Sequence, residues 1–446
     1  MASVLLIYPK PEKDKDARFG FSLNLLYLSS IIKNAGHSVL NYLDFSLQHY
    51  SHDELNSNIV KSDFIIIELD AFSLKRSSNA NNAESLIKQI KENFPSKVII
   101  ASGYDLALFP RTVKCADFSI SSGQIENKIL ELIDGSKIYC NYNKEIRSFD
   151  KLPLPDRSLL SNFIEHGGNN SHPANLAKST LIQTSRGCLN SCTFCQRKGW
   201  QKKFVSHSVD YVVSEFQYLQ EQSYKNIWIA DDNFTFNLGR SKKILKSLID
   251  GNVSETMKIS CSSWSKIDKE FLDLAKLANI SIISFGIESA NSEILDFYKK
   301  KIDIEEIQYL INCADKIGLY TIGNFIIGAP METKHTIENT FKYALDTAFD
   351  QVNIKILNYM AGAELFANLP MEIKKNKRHL FACKENGLNK FWFSELIEKA
   401  NIFKNQFNIS REKKLKYKME LFGTPYEIQK THNKKIQRTQ KAAPLI

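Results

Sequence analysis

Twice along these 446 residues, short apolar runs alternate with amphipathic segments. This is the strongest constraint on the fold. A chain that reads strand, helix, strand, helix with short turns buries its apolar runs in a parallel sheet covered by helices. In the first set, residues 4–8 read as a continuous buried strand. Residues 23–35 read as a helix, with Leu25, Leu28, Ile31 and Ile32 at helical spacing and Gly36 as its stop. Further strands are expected over 39–43, 64–69, 98–101 and 116–120, with helices over 83–94 and through Ile125, Ile129 and Leu132. A doubly wound parallel sheet over residues 1–140 follows. Ligands of such sheets sit at the carboxyl ends of strands. Here those ends are Tyr8-Pro9, Asp70-Ala71, Ser102-Gly103 and Ser121 to Gly123.

Residues 141–177 read as a linker. Leu152-Pro-Leu-Pro-Asp-Arg157 cannot be helical at its prolines, and Gly167-Gly-Asn-Asn-Ser171 has loop composition. The alternation restarts near Ser179, with strands expected over 180–183, 226–230, 258–261, 280–286, 321–327 and 352–357. That makes six βα units over residues 178–360. Residues 361–446 read as a helical, basic extension. Catalytic groups of βα barrels lie at the carboxyl ends of the strands.

One motif in this frame carries chemistry. Thr184-Ser-Arg-Gly-Cys-Leu-Asn-Ser-Cys-Thr-Phe-Cys195 spaces Cys188, Cys192 and Cys195 as C-x3-C-x2-C. With 8 Cys in 446 residues, chance yields such a triplet roughly 0.3 per cent of the time. Three thiolates hold three corners of a four-iron cluster and leave the fourth iron open. Structural zinc takes four protein ligands, and the nearest histidines, His172 and His207, lie outside the triplet. A disulfide framework belongs to small secreted chains. Phe194 can shield a cluster from water, and Gly187 lets the backbone turn sharply into the loop.

C-x3-C-x2-C with an aromatic before the last cysteine resembles the signature of the radical S-adenosylmethionine (radical SAM) superfamily. The resemblance implies that the amino and carboxylate groups of SAM chelate the open iron of a [4Fe-4S] cluster. One electron then cleaves SAM to methionine and a 5′-deoxyadenosyl radical, which takes hydrogen from a substrate. It implies an α/β chain: an N-terminal Rossmann-like sheet, a partial (βα)6 radical SAM barrel and a helical C-terminal tail. It also assigns roles: Cys188, Cys192 and Cys195 as iron ligands, and Asp231 or Asp232 as acceptor for the SAM ammonium. The alternative for the aspartates is a cap on the next helix. Glu288, in Gly-Ile-Glu-Ser, is placed to take the ribose hydroxyls. Gly323, Gly328 and Pro330, in Gly-Asn-Phe-Ile-Ile-Gly-Ala-Pro, are placed to flank adenine.

Residues 1–140 resemble the cobalamin-binding domain found ahead of many radical SAM barrels. The first strand followed by Pro9, the Leu26-Tyr-Leu28 helix and the Ala35-Gly-His37 turn carry the likeness, and Leu-Pro-Leu-Pro-Asp resembles the usual join. Two departures stand against it. No Asp-x-His-x-x-Gly offers a cobalt ligand, and the expected glycine pair after the fourth strand is Ser102-Gly103. Cobalamin is therefore a candidate third cofactor, and a domain kept for packing or docking is the alternative.

Two reactions are open. With cobalamin, the resemblance implies methyl transfer or rearrangement. Without it, a thiol returning hydrogen would invert a stereocentre, as in the radical SAM peptide epimerases. Cys383, beyond the barrel, and Cys261, at the third strand of the barrel, are the candidate donors, and Cys115, Cys140 and Cys313 read as packing residues. The expected partners are a peptide or small natural product and an electron donor such as flavodoxin or ferredoxin. A metal-binding regulator without turnover is the alternative from another class. A tRNA-modifying reading lacks the extra N-terminal cysteine triad and the appended RNA module.

Composition excludes other classes. No run of 18 apolar residues suggests a transmembrane helix. The first residues lack a basic n-region, so a buried strand and a cytoplasmic, reducing location are expected. The net charge of +10 concentrates at residues 374–378, 411–418 and Lys434-Lys435. No aromatic-interleaved platform accompanies it, so a solvated face is expected there, not a nucleic-acid partner.

Overall fold

The computed structural model describes residues 1–12, 21–70, 78–123, 125–135, 149–160, 178–199, 203–264, 267–375 and 377–421. Most of the expected linker, Cys140, His172 and the Lys434-Lys435 pair fall outside the described residues. The chain divides into two compact units, Met1–Asn170 with Val205–Ser208, and Ser171–Phe204 with Val209–Ile446.

In the first unit, strands β1 (Ser3–Tyr8), β2 (Ser38–Asp44), β3 (Phe64–Glu68), β4 (Val98–Gly103) and β5 (Phe118–Ser121) form a parallel sheet in the order β2-β1-β3-β4-β5. Helices α1 (Leu23–Asn34), α2 (His52–Lys61), α3 (Ala80–Asn93), α4 (Tyr104–Leu108) and α5 (Ile125–Ile133) connect the strands or follow the last of them. Val4 to Tyr8 and Ile65 to Ile67 are sealed from water, as expected of strands covered on both faces. Each such Leu or Ile contributes about 1.5–3 kcal/mol of burial. The order reverses between β1 and β3, the switch point at which doubly wound sheets open a crevice. Gly103 closes β4 at φ +144, where an added Cβ would stand 1.9 Å from the Leu69 carbonyl oxygen. Only glycine lets β3 and β4 approach so closely at this end.

Helix α2 is absent from the sequence reading. Of its ten residues only Leu55 and Ile59 are buried, so the periodic apolar signal is nearly empty. Its start is still encoded: Ser51 accepts the Glu54 amide, and Asp53 and Glu54 occupy the first turn.

In the second unit, β6 (Ser179–Ile182), β7 (Asn226–Ile229), β8 (Lys258–Ser263), β9 (Ile280–Glu288), β10 (Tyr320–Ile327) and β11 (Gln351–Ile356) form a parallel sheet in chain order. Helices α6 (Val209–Glu221), α7 (Leu238–Asp250), α8 (Lys269–Leu277), α9 (Ser292–Phe297), α10 (Ile304–Lys316) and α11 (Lys334–Asp346) lie between the strands. Sequential parallel strands with helical crossovers make an open βα barrel of six strands. Strand β10 is buried at every position.

The C-terminal extension is not wholly helical. Strand β12 (Asn358–Met360) pairs antiparallel with β13 (His379–Phe381), and α12 (Phe393–Leu421) follows. The basic run at 411–418 is only partly a solvated face: Lys413 is exposed, but Arg411, Lys414 and Lys418 turn toward the barrel. Arg411 donates to the carbonyls of Leu345, Thr347 and Phe349 at 2.7–2.9 Å, satisfying carbonyls that α11 and its following turn leave open. Lys418 reaches Asp315 and Asp350, each at 2.6 Å. Three cations of this run thus hold α12 against the barrel.

Candidate active site

The three cysteines share the loop that follows β6. All three are half-buried free thiols. Burial pushes the Cys192 thiol up to about 11, with Lys300 opposing and the neighbouring Cys195, Glu288 and Cys188 adding to the rise. Burial also raises Cys195, against the pull of Arg197. Among the described residues, no three His, Cys, Asp or Glu side chains already stand at metal-binding geometry. The Phe194 ring packs edge-on to Tyr298 at 5.1 Å, and the Thr193 amide donates to the Tyr298 carbonyl at 3.0 Å, fixing the loop from the α9 side. His207 lies against Phe149 at 4.0 Å and faces Asp150 at 3.3 Å.

Asp231 and Asp232 follow β7 and turn toward this loop. Asp231 Oδ1 accepts the amides of Thr184 and Ser185 at 2.6 and 3.0 Å, and Oδ2 accepts their hydroxyls at 2.5 and 2.6 Å. Four donors use all the acceptor positions of a carboxylate. Of the two aspartates offered as acceptor for the ammonium, Asp231 is the one that does not suit: its oxygens are already spent on the chain. Asp232 takes Arg197 Nε on Oδ1 at 2.7 Å and the Gly187 amide on Oδ2 at 2.7 Å, so each oxygen keeps an open position. Its side chain is 13% exposed.

Glu288 ends β9 with φ +70, a left-handed conformation that a glutamate rarely adopts. Strain of this kind persists where surrounding structure enforces it, often at functional sites. Its carboxyl is buried, which raises it above the usual carboxylate range; the Lys300 ammonium, 3.7 Å away, opposes the rise. Lys300 is also buried and donates to the Trp264 carbonyl at 2.9 Å.

The adenine-flanking expectation divides. At Gly323 a Cβ would meet the rings of Phe325 and Phe349 at 2.9 Å, so aromatic packing accounts for this glycine. That corrects its assignment to ligand approach. Gly328 does sit in the turn after β10, at φ +96, with Pro330 exposed beyond it. Asn389 donates to the Gly328 carbonyl at 2.8 Å and the Ala382 carbonyl at 2.6 Å, so the C-terminal extension grips this turn. Glu332 Oε2 accepts the amides of Gly328 and Ala329, while Oε1 has no hydrogen-bond partner among the described residues.

Burial raises Glu332 from its ordinary 4.5 to about 7, against the two amides. The folded value lies above the unfolded one. The group's stabilising contribution is therefore complete below about pH 4.5 and is lost as pH rises through about 7. The shift corresponds to about 3 kcal/mol. In denaturant titrations at pH 5 and pH 8, Glu332→Gln should remove most of that decline relative to the parent chain.

The two candidate hydrogen donors are both sealed. Cys261 lies two residues before the end of β8, not at it, and burial raises its thiol far above the usual value. Cys383 is 3% exposed; Asn386 Nδ2 donates to its sulfur at 3.3 Å, and the sulfur lies 3.4 Å from the Phe381 carbonyl. Neither is poised as an open thiol.

At the carboxyl edge of the first unit's sheet, Tyr8 donates to Asp70 at 2.9 Å, and Asn24 bridges Glu68 and Ser122 at 3.0 and 3.3 Å. Gly123, just past β5 at φ +83, faces open space where a side chain would stand.

The sequence reading missed Arg197, Lys300, Glu332 and Asn389. Only Glu332 left a local signal, standing two residues beyond Pro330 and one before the capping Thr333 of α11.

Residues 182–344 match the model of the Radical SAM superfamily. The chain thus carries a radical SAM domain and is a radical SAM enzyme, of a superfamily whose cofactors are a [4Fe-4S] cluster and SAM. It is similar to an uncharacterized methyltransferase of Pyrococcus horikoshii, with 27% identity over 394 residues covering 81% of this chain and 82% of that one. Its fold matches the radical SAM methyltransferase TsrM of Kitasatospora setae, solved with cobalamin and a [4Fe-4S] cluster (TM-score 0.67, 14% identity, 84% of this chain and 79% of that one). It also matches the cobalamin-dependent radical enzyme OxsB with aqua-cobalamin bound (TM-score 0.63, 18% identity). That match covers 82% of this chain and 55% of OxsB. Among the described residues, no helix is long and apolar enough to cross a membrane.

Proposed function

We propose that this protein is a cobalamin-dependent radical SAM methyltransferase that methylates a carbon of a small-molecule substrate. The observation that carries the reading is the β2-β1-β3-β4-β5 sheet ahead of the radical SAM domain, with its switch point and open backbone at the carboxyl edge. The similarity to named methyltransferases over about four-fifths of the chain supports the choice of reaction. Sealed thiols at Cys261 and Cys383 count against epimerisation by hydrogen return.

The donor set fits a cluster with one open iron: three soft thiolates, with no His, Asp or Glu between them. Cys188, Cys192 and Cys195 hold it. The half-satisfied Asp232 receives the SAM ammonium, Lys300 faces its carboxylate, Glu288 takes the ribose, and the turn at Gly328 to Pro330 lies along the base. For cobalamin, Ser122, Gly123 and Asn24 at the carboxyl edge of the sheet offer polar groups and room. When bound, the cluster supplies the electron that cleaves SAM and cobalamin supplies a methyl-carrying cobalt. A flavodoxin or ferredoxin is the proposed source of electrons.

The test is anaerobic incubation of the reconstituted enzyme with dithionite and SAM, with products separated by mass. Formation of 5′-deoxyadenosine or S-adenosylhomocysteine is expected. A chain that binds SAM and yields neither contradicts the reading.

A further inference from the structure

We propose that Asp231 and Asp232 are a staple that fixes both ends of the cysteine loop before any iron is present. This rests on the reading of Cys188, Cys192 and Cys195 as iron ligands.

The loop has two flanks, Thr184 to Gly187 before the first cysteine and Gln196-Arg197 after the last. Asp231 binds the first flank through four hydrogen bonds from Thr184 and Ser185. Asp232 binds both flanks at once. One oxygen takes the amide of Gly187, the residue adjoining Cys188; the other takes Arg197, two residues past Cys195. The Asp232 carbonyl takes a second Arg197 donor at 2.7 Å. Arg240, from α7, grips the Thr184 hydroxyl and carbonyl at 3.1 and 2.9 Å. Asn233, the next residue, brings its amide within 3.9 Å of the Cys188 sulfur. Three consecutive residues after β7 thus reach the start, both shoulders and the first ligand of the loop.

The chemistry explains why both are acids. Four donors converge on Asp231, and only a carboxylate accepts four while donating none. An asparagine would turn an amino group against two of them. At Asp232, a planar guanidinium on one side and a backbone amide on the other again call for an acceptor on both oxygens. Ordering the loop in advance removes conformational entropy that cluster assembly would otherwise have to overcome. Asp231 and Asp232 are therefore positioning residues for the cluster.

The test uses the full-length, metal-free chain. Hydrogen exchange should show the Thr184, Ser185 and Gly187 amides protected. Asp232→Asn should speed exchange over residues 184–197 by about tenfold or more while the barrel strands keep their protection. On anaerobic reconstitution it should take up iron several-fold more slowly than the parent. Arg197→Gln should act in the same direction, and the double variant should fall short of the sum of the two, because both weaken the Arg197–Asp232 pair. Asp231→Asn should act in the same direction. Because Asp231 is buried and its loss can unfold the chain, the partly buried link at Asp232 decides the matter. Parent-like exchange and iron uptake in Asp232→Asn would overturn the staple. Cys188→Ala separates the two readings: it should lose iron while leaving exchange of the metal-free loop unchanged. If it keeps its iron, the ligand assignment fails and the staple does not.

Discussion

Cys188→Ala should yield a folded protein that holds less than one iron per chain after reconstitution, where the parent holds about four. SAM cleavage should fall below detection. The effect on stability should be small, within about 1 kcal/mol, because the side chain is only half-buried and a thiol-to-methyl change leaves no large cavity. Cys192→Ala and Cys195→Ala should agree. The pattern matters more than any single value: loss of iron with the melting temperature of the metal-free parent marks a ligand, whereas a metal-free form that melts lower than the metal-free parent marks a packing residue. Iron analysis with thermal denaturation of the same preparations distinguishes them.

Asp350→Ala should strongly destabilise the C-terminal half. The Asp350 side chain is fully buried, where Oδ2 accepts the Thr321 amide at 2.8 Å and Lys418 at 2.6 Å, and Lys414 stands 3.0 Å from Oδ1. Removing it strands two cations at the foot of β10 and leaves the Thr321 amide without its carboxylate. Breaking a buried pair from one side costs about 3–5 kcal/mol. Asp315 still reaches both lysines, at 2.8 and 2.6 Å, so the lower end of that range is expected. Urea denaturation reads the loss directly. Lys418→Met should cost less, since it removes one charge and leaves Asp350 paired with Lys414. Costs near zero for both would mean that the helix is held by its apolar contacts alone.

The parts of this molecule that were legible in the sequence are those written locally. Strand and helix alternation gave both sheets because buried runs such as Val4 to Tyr8 and 320–327 carry their burial in their composition. The cysteine triplet was legible for the same reason. Helix α2 was not, since two buried residues in ten make no pattern. Strand β13 was hidden by its length of three residues. The site was half-legible. Glu288 and the aspartates announced themselves at strand ends, but the saturation of Asp231 depends on partners 46 and 47 residues away. Lys300 lies inside a lysine triplet, where nothing distinguishes the one that turns inward. Gly323 was misread because a packing glycine and a ligand-facing glycine look alike until the neighbouring rings of Phe325 and Phe349 are placed. The basic run near the C-terminus was misread because Arg411, Lys414 and Lys418 find carbonyls and carboxylates on distant elements.

A methyltransferase of the proposed kind binds both a cluster and cobalamin. Metal analysis of protein isolated without oxygen from cells supplied with cobalamin tests it most directly. About four irons and about one cobalt per chain, with a corrinoid absorbance spectrum, are expected. Four irons with no cobalt, even after incubation with excess cobalamin, would contradict it.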